Sequence, residues 1–275
     1  MFSNLSNFFQ KSGIELYAPI PLRACELKKP YLLEREGITD TGSAVLFAVP
    51  YRTPACDTPR RNLSAYAVSR DYHAYFSALF DEILPVLRQK FPNEKFVGFA
   101  DHAPINEVDA AARAGLGILG KNGLLLTEKH SSFVFLGGIY TTLSLPATVK
   151  DPKRCEDCGA CARACPAKDG AVCLSSLTQK KGELTKEEGS LILANGSVWG
   201  CDICQDVCPH TRRAKKDGTL YTKIPYFYDH PITHLCAASL AQMSDEEFSH
   251  RAYAWRGKET ILRNLQLAEK GDPLC

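Results

Sequence analysis

Two cysteine-rich stretches decide how the second half of this 275-residue chain folds. Residues 155–166 have the sequence CEDCGACARACP, and residues 200–209 have the sequence GCDICQDVCP. The first stretch spaces its cysteines as C-x2-C-x2-C-x3-C-P, and the second as C-x2-C-x3-C-P. Because cysteine thiolates are strong ligands for soft metals, this short and regular spacing indicates that the cysteines bind a metal or a metal cluster.

The first spacing is that of bacterial ferredoxins, in which three cysteines bind one [4Fe–4S] cluster and the fourth, before proline, binds the other cluster. The second stretch lacks one cysteine of the full run, and Cys173 is available to supply it. This crossed pattern predicts two clusters. One cluster would be bound by Cys155, Cys158, Cys161 and Cys208, and the other by Cys165, Cys173, Cys201 and Cys204.

Composition and charge are consistent with this interpretation. The chain is 45% hydrophobic and 23% charged, and its net charge of +2 does not indicate a nucleic-acid or membrane surface. The sequence predicts neither a signal peptide nor a membrane span, so a cytoplasmic location is expected. Thiols stay reduced there, which disfavours disulfides. Structural zinc, the other alternative, usually uses two CxxC pairs and does not need the third close cysteine or the proline.

Hydrophobic periodicity divides the chain into an α/β (α+β) domain at 1–150, a cysteine-rich domain at 151–215 and a helical tail at 216–275. The middle segment has little apolar mass, so bound clusters would stabilise it. In the first segment Pro85 should kink or split a long helix. We predict strands at 45–49, 95–99, 124–127 and 133–145, and helices at 64–90 and 106–114.

Seven blocks of the sequence, in the same order, resemble the epoxyqueuosine reductase family. Enzymes of this family catalyse the last step in the synthesis of the tRNA base queuosine. The combination of GLGxxGKN with GCDxCQxxCP is specific to that family. The expectation is a short form, without the helical repeats with which the family usually continues. Beside the first cysteine run, the blocks are AYAVSRDYH (65–73), FADHAP (99–104), ARAGLGILGKNGLLL (112–126), FVFLGGI (133–139), CLSSLT (173–178), GCDICQDVCP (200–209) and FSHRAYAWRGKETILRN (248–264).

The resemblance implies a reductase that depends on cobalamin and on two [4Fe–4S] clusters. The clusters would reduce the cobalt, and the reduced cofactor would remove the epoxide oxygen of epoxyqueuosine in tRNA as water. Residues 1–150 would form a cobalamin-binding-like domain, followed by the ferredoxin-like domain. The implied partners are tRNA and an electron donor such as flavodoxin or ferredoxin.

Asp101 is the candidate catalytic acid, because the resemblance gives it the role of proton donor. Deoxygenating an epoxide needs an acid that protonates the leaving oxygen. A carboxyl near an apolar ring would be desolvated, which raises its pKa toward that role. The alternative is a capping or turn aspartate before the helix that begins near Asn106.

Further residues are candidates for contacts with the cofactor. For Tyr66 and His73 the alternative is a place in the core, and for Asp202 it is capping of the helix that begins at Cys201. For GKNG at 120–123 the alternative is a hairpin turn. The candidates are Tyr66, His73, Lys121, Asn122, Ser175 and Asp202, whereas Cys25, Cys56, Cys236 and Cys275 are expected to be buried or free thiols.

Two other functions fit the same residues. A ferredoxin-like electron carrier would use the clusters without catalysis and should bind no cobalamin. A cobalamin-dependent reductase of a small molecule would keep the chemistry and change the substrate. Cobalamin binding separates the first of these from an enzyme.

The crossed cysteine pattern predicts about eight irons per chain in anaerobically purified protein, as two four-iron clusters require. Replacing Cys173 with alanine should remove or destabilise one cluster, and iron analysis with visible spectroscopy measures this. Cys236→Ala is the matched control, because Cys236 has no cluster-like spacing. Full iron content in Cys173→Ala, or loss of iron in Cys236→Ala, would show that the eighth ligand is another cysteine.

Overall fold

The computed structural model describes residues 2–167 and 172–269. Contacts divide the chain into two compact units, each assembled from separate stretches of sequence. Because the predicted segments 1–150, 151–215 and 216–275 are continuous, they do not coincide with these units, and their functional division stays a prediction. The first unit is Met1–Tyr51, His73–Gly159 and Pro209–Ile224, and the second is Arg52–Tyr72, Ala160–Cys208 and Pro225–Cys275.

The first half of the described chain contains both helices and strands, and the second half contains helices. In chain order they are α1 (Phe2–Lys11), β1 (Leu16–Pro21), α2 (Tyr31–Glu34), β2 (Ser43–Pro50), α3 (Tyr72–Lys90), β3 (Phe96–Ala100), α4 (Glu107–Arg113), β4 (Ile118–Leu119), β5 (Leu125–Leu126), β6 (Val134–Thr141), α5 (Ala160–Ala164), α6 (Leu174–Thr178), α7 (Lys186–Asn195), α8 (Ile203–Asp206), α9 (Pro209–Lys216), α10 (Ala237–Gln242), α11 (Asp245–Ser249) and α12 (Lys258–Ala268).

The first unit is built on a four-stranded sheet with the order β1-β2-β6-β3. All its strand pairs are antiparallel, so the sheet is of the α+β kind. Strand β2 is buried along its whole length because helices cover both faces. The ring of Phe47 lies 5.0 Å from Phe9 of α1 and 5.9 Å from Phe76 of α3, while Leu46 packs in a core that includes the alanines of α4.

Gly137 lets helix α3 approach the sheet closely. It pairs with Phe47 on one side and Ala100 on the other in an unbroken register. A Cβ atom at Gly137 would lie 2.6 Å from the ring of Phe76 and 2.7 Å from that of Phe47. The residue is therefore glycine because the two rings pack where a side chain would stand.

Helix α3 is shorter than the helix that the sequence predicts at 64–90. It begins at Tyr72, and residues 65–67 form a short 3-10 turn instead. Residues 64 and 65 are instead held to another part of the chain, because the backbone N–H of Ala65 and the hydroxyl of Ser64 donate to the carboxylate of Asp202. Pro85 lies inside α3 without splitting it.

The second unit has its own hydrophobic core around Trp199 and Tyr253, whose rings meet edge-on with centroids 6.3 Å apart. Helices α10, α11 and α12 line this core, which agrees with the helical character predicted for the C-terminal segment. Ser244 caps α11 by accepting a hydrogen bond from the N–H of Glu247 at 3.1 Å. Within residues 2–167 and 172–269, no helix combines the length and apolar character that a membrane span requires.

Candidate functional site

Cys155 and Cys158, the first two cysteines of the run, belong to the first unit, and the segment that leads into Cys155 is hydrogen-bonded to β4. The N–H of Leu119 donates to the carbonyl of Lys153 at 2.8 Å, and the N–H of Cys155 donates back to the carbonyl of Leu119 at 2.9 Å. The N–H of Lys121 then donates to Sγ of Cys155 at 3.3 Å. Hydrogen bonds of this kind to cysteine sulfur stabilise the thiolate and tune an iron–sulfur cluster. Short β4, which sequence periodicity missed, therefore positions a predicted cluster ligand.

Lys121 and Asn122 form the turn that joins β4 to β5. The N–H of Gly120 donates to the carbonyl of Leu124 at 2.8 Å, and the side-chain oxygen of Asn122 accepts from the N–H of Leu124 at 3.3 Å. The Lys121 ammonium lies 2.6 Å from Asp157, between the first two cysteines of the run. The hairpin-turn interpretation is confirmed for the backbone, and a contact of these two side chains with a cofactor stays a prediction.

Three of the predicted ligands of one cluster share a neighbourhood in the second unit. Cys173 occupies the N-cap position of α6, and Cys201 lies two residues before α8. The pKa of Cys201 is raised to about 11, chiefly by burial and also by the negative charges of Asp202, Cys173 and Cys165, while a hydrogen bond from the backbone of Ile203 lowers it. Thiols that oppose one another's ionisation are stabilised as thiolates by a bound cation or cluster, which supplies the missing positive charge.

A single metal ion is a different case. Among the described residues, no three His, Cys, Asp or Glu side chains are grouped to hold one ion. A four-iron cluster separates its cysteines further than one ion does, because its iron and sulfide atoms lie between them. Cys155, Cys161, Cys165, Cys173 and Cys201 are free thiols, as metal ligands must be.

Asp202 is almost fully buried in the second unit, with 4% of its surface exposed. Its carboxylate is paired with the Arg61 guanidinium and accepts hydrogen bonds from the hydroxyl of Ser64 and from the N–H of Ala65, the latter at 2.7 Å. Asp202 takes the N-cap position of α8 but makes no capping hydrogen bond with its side chain, so the simple capping interpretation is wrong. Its contact with a cofactor stays a prediction.

A second arginine extends this ion-pair network. Arg52 is 6% exposed and contacts Asp57 and Asp206, each at 2.9 Å. Arg61 also reaches Asp206, at 3.2 Å. Helix α8, which carries Cys204, is therefore joined to residues 52–65 by charge pairs that are largely removed from water.

Tyr66 and Ser175 also lie in the second unit. The Tyr66 ring meets Tyr72 edge-on with centroids 6.4 Å apart and packs beside the hydrophobic core. The carbonyl of Ser175 accepts a hydrogen bond from the Thr178 hydroxyl at 2.8 Å, inside α6. These contacts explain the local structure, and the predicted cofactor contacts of both residues remain untested.

Asn264 is a positioning residue that the sequence interpretation missed. It is fully buried, and its amide donates to the carbonyls of Thr178 at 2.7 Å and Val198 at 2.9 Å. The Thr178 hydroxyl in turn accepts from the N–H of Gly200, which precedes Cys201, at 2.9 Å. Asn264 therefore links α12 to both the helix that follows Cys173 and the loop that carries Cys201.

Asp101 occupies a strained turn at the end of β3 in the first unit. Its φ of 65° lies in the left-handed region, and the N–H of His102 donates to the carbonyl of Ala100 at 2.7 Å across it. Such tight turns with positive φ are rare and strained, and strain of this kind concentrates at functional sites. Oδ2 of Asp101 lies 3.6 Å from Nε2 of His73, with the two side chains 64% and 50% exposed.

These positions exclude the capping role for Asp101 and the core position for His73, while Asp101 does lie in a turn, as its alternative interpretation predicted. Helix α4 is capped by Asn106, whose side chain accepts from the N–H of Asp109 at 3.4 Å, so Asp101 is not the cap. His73 lies in the first turn of α3 with half of its side chain exposed, so it is not a core histidine. The structure thus brings together two of the predicted site residues, an acid and a base, on the surface of one unit.

Glu107 and Tyr140 each carry a buried polar atom that the sequence interpretation missed. Within the described residues, neither Oε1 of Glu107 nor the hydroxyl of Tyr140 has a hydrogen-bond partner, although both atoms are buried. The pKa of Glu107 is raised to about 8, chiefly by burial and also by the negative charge of Asp101, with Lys29 acting in the opposite direction. Burial also raises the pKa of Tyr140 well above its usual value, with further contributions from Glu107 and Cys25.

A cavity of the first unit lies elsewhere. It measures about 530 Å³ and is lined by residues of α1, β1 and the loop before β6, among them Tyr17 and His130. The ion pair between Lys129 and Glu15, at 2.5 Å, closes one side. None of the predicted site residues lines this cavity, so it does not bear on the chemistry predicted from the sequence.

The fold and the cysteines define an iron–sulfur protein, and comparisons with known proteins agree. A model of the 4Fe-4S binding domain matches residues 148–168. An epoxyqueuosine reductase of Gloeobacter violaceus is 34% identical over 219 residues, which cover 75% of this chain and 68% of that protein. One from Synechocystis is 33% identical over 206 residues, which cover 70% of each chain. The chain belongs to the epoxyqueuosine reductase family.

Solved structures share the fold. The epoxyqueuosine reductase of Streptococcus thermophilus has a TM-score of 0.73 at 21% identity and covers 98% of this chain and 81% of its own. A crystal structure of epoxyqueuosine reductase with an epoxyqueuosine-modified tRNA-Tyr stem loop has a TM-score of 0.77 at 24% identity, with the same coverage. The mixed helix and strand architecture predicted from the sequence is confirmed at this level.

The buried ion pair of Asp202 predicts a large effect of Arg61→Ala. The substitution leaves a buried carboxylate without its cation, which typically costs about 3–5 kcal/mol. The free energy of unfolding should fall by about that amount in urea denaturation followed by circular dichroism under anaerobic conditions. Arg60→Ala, next in the chain and exposed, is the matched control. Equal stability of the two variants would contradict the structural role of the pair.

Burial of Glu107 predicts that protein stability depends on pH. Its pKa in the folded protein, about 8, exceeds the ordinary 4.5, so the folded state holds an extra proton and loses stability as pH rises through this interval. Glu107→Gln removes this loss. The thermal midpoint of Glu107→Gln relative to the parent should therefore rise between about pH 5 and pH 8. Glu82→Gln, an exposed change of the same kind on α3, should show no such rise.

Proposed function

We propose that this chain reduces the epoxide of epoxyqueuosine in tRNA to give queuosine, with two [4Fe–4S] clusters and cobalamin as cofactors. The observation that carries the proposal is that a member of the epoxyqueuosine reductase family retains the full set of eight cysteines for two clusters. The exposed acid–histidine pair of Asp101 and His73 adds a group suited to protonating the leaving oxygen.

The donor atoms present fit the clusters. The proposed ligand sets are Cys155, Cys158, Cys161 with Cys208, and Cys165, Cys173, Cys201 with Cys204. The 4Fe-4S binding domain match covers the first cysteines of both sets. The hydrogen bond from the N–H of Lys121 to the sulfur of Cys155 and the mutual electrostatic opposition of Cys165, Cys173 and Cys201 support thiolate coordination.

Cobalamin rests on the family resemblance and on the accessibility of the candidate side chains. His73 and Lys121 are each about half exposed, and Asp101 more so, which leaves all three able to meet a large bound group. When bound, cobalamin supplies the low-potential cobalt that passes electrons to the substrate. Tyr66, Asn122, Ser175 and Asp202 are the further residues that we propose to contact it.

The chain itself supplies protons. Removing an epoxide oxygen as water takes two electrons and two protons. In the proposed mechanism the Asp101 carboxyl protonates the oxygen as its carbon–oxygen bond breaks, because an alkoxide is a poor leaving group. His73, with Nε2 at 3.6 Å from Oδ2, orients the carboxyl and lies close enough to exchange a proton with it. The strained turn presents the acid beyond the end of β3.

The proposed partners are tRNA and a small one-electron donor such as flavodoxin or ferredoxin. The related crystal structure with a modified tRNA stem loop supports tRNA as the substrate. A soluble iron–sulfur or flavin donor suits clusters that accept single electrons.

Asp101→Asn is expected to lose most turnover while keeping both clusters and cobalamin. An amide keeps the shape and a hydrogen bond but cannot deliver a proton at neutral pH. General acid catalysis typically contributes ~10²–10⁴-fold, so turnover should fall within that range. The measurement is anaerobic turnover of epoxyqueuosine tRNA with a chemical reductant, alongside iron content and a visible-spectrum titration with cobalamin.

Asp81→Asn, an exposed aspartate of α3, is the control and should keep normal turnover. Near-normal turnover of Asp101→Asn would contradict the proposed role of Asp101 as the proton donor. Failure of the parent protein on this substrate, with cobalamin bound, would overturn tRNA as the substrate and favour a small molecule. A parent protein that binds clusters but no cobalamin would instead be an electron carrier.

A further inference from the structure

We propose that Trp255, with the Arg256 guanidinium stacked on it, is a platform on which an unpaired base of an RNA loop stacks. This inference rests on the proposed function, because the RNA is the substrate proposed there. It assigns a binding role to an aromatic side chain of the second unit that lies outside the candidate site. The ligand is defined by its chemistry, which is a flat aromatic base next to a phosphate.

Trp255 is exposed because of the short 3-10 turn that carries it. Residues Ala254–Arg256 form this turn, which ends at Gly257 with a φ of 84°. A 3-10 helix has three residues per turn, so side chains two residues apart point to different sides. Tyr253 is fully buried in the core of the second unit, whereas Trp255 has 57% of its surface exposed. Among the described residues, no other large apolar side chain is as exposed.

The Arg256 guanidinium is held against the indole and not against an acid. Its Cζ atom lies 3.8 Å from the centroid of the Trp255 ring, which is a cation–π contact. Within the described part of the chain, Nε of Arg256 is buried without a hydrogen-bond partner, and no carboxylate pairs with the guanidinium. Because no neighbouring acid neutralises it, the positive charge of Arg256 remains available to an anion that approaches the indole.

The indole of Trp255 is also in contact with the core of the second unit. It meets the ring of Trp199 edge-on, with centroids 6.2 Å apart and an angle of 86° between the planes. Trp199 is fully buried, so this contact and the stacked guanidinium fix the position of the exposed ring. A side chain that is already fixed loses little conformational freedom when a ligand stacks on it, and this favours binding.

The chemistry of this platform favours RNA over a protein partner. Proteins recognise RNA loops by stacking the splayed-out bases on aromatic rings or on Arg guanidinium planes, and Trp255 and Arg256 place both groups side by side. The phosphate that accompanies each base suits an arginine that no acid neutralises. A protein interface of ordinary size buries about 800 Å² per partner, far more than one indole and one guanidinium provide. An enzyme that acts on a base must also take that base out of its stack, which frees neighbouring bases for such a contact.

Tryptophan fluorescence gives a direct test, because the chain has two tryptophans, of which Trp199 is buried and Trp255 is exposed. The probe is the unmodified stem loop of tRNA-Tyr, titrated into cluster-loaded protein. The difference in emission between the parent and Trp255→Phe reports Trp255, and the emission of Trp255→Phe reports Trp199. We expect the RNA to quench the first and leave the second unchanged. Quenching of equal size in the parent and in Trp255→Phe would overturn the inference.

The affinity for the same stem loop, measured by anisotropy of end-labelled RNA, tests the contribution of stacking. Trp255→Ala and Trp255→Leu should each raise Kd by about 5-fold to 10²-fold, because the stacking of one base is lost. Trp255→Phe should keep most of the affinity, since it retains an aromatic face. Arg256→Gln should reduce the slope of log Kd against log salt by about 0.7, as the loss of one phosphate contact does. Tyr31→Ala, which removes an exposed aromatic ring of the first unit, is the matched control and should bind like the parent.

The variants separate stacking from other roles of the indole. Trp199 emission in each Trp255 variant reports whether its core is folded, and Trp255→Leu serves if Trp255→Ala does not fold. Parent-like affinity in Trp255→Leu, or a parent that does not bind the stem loop, overturns the platform. An RNA affinity independent of Trp255 would leave the exposed indole to a protein partner. A parent that binds the RNA through Trp255 but does not turn over epoxyqueuosine tRNA overturns the proposed function alone.

Discussion

The carboxylate of Asp202 is the constraint on which the second unit depends. A carboxylate with 4% of its surface exposed needs a cation and hydrogen-bond donors, because an uncompensated buried charge is strongly destabilising. Arg61, Ser64 and the N–H of Ala65 supply them. Since Asp202 lies between Cys201 and Cys204, this one requirement fixes the cysteine loop against residues 61–65.

Local signals in the sequence were sufficient to recognise the cysteine runs as candidate cluster ligands and to predict the ends of several helices. The spacing of the cysteines can be read without knowledge of the rest of the fold. In the caps, the side chains of Asn106 and Ser244 accept a hydrogen bond from an N–H only three residues further along the chain. The capping role of Asp202 was wrong for the opposite reason. Its partners Ser64 and Ala65 lie more than a hundred residues away, and nothing near position 202 announces them.

The acid of the candidate site followed from resemblance, and the structure adds what no pattern contains. The sequence left a capping role open for Asp101, and the structure excludes it by placing Asp101 in a turn with positive φ beside the exposed His73, while its catalytic role stays a prediction. Glu107 was overlooked because an acid in the first turn of a helix normally complements the helix dipole in water. Only the packing of α4 against β6 removes its carboxyl from solvent and gives it a different chemistry.

The chain thus uses carboxyl groups in two opposite ways. In the second unit, Asp202 is paired with Arg61 and accepts hydrogen bonds from Ser64 and Ala65, which makes it a structural element. In the first unit, burial and the negative charge of Asp101 favour the neutral form of Glu107, whose Oε1 has no hydrogen-bond partner among the described residues. The two carboxyls therefore differ in the partners that their environments provide.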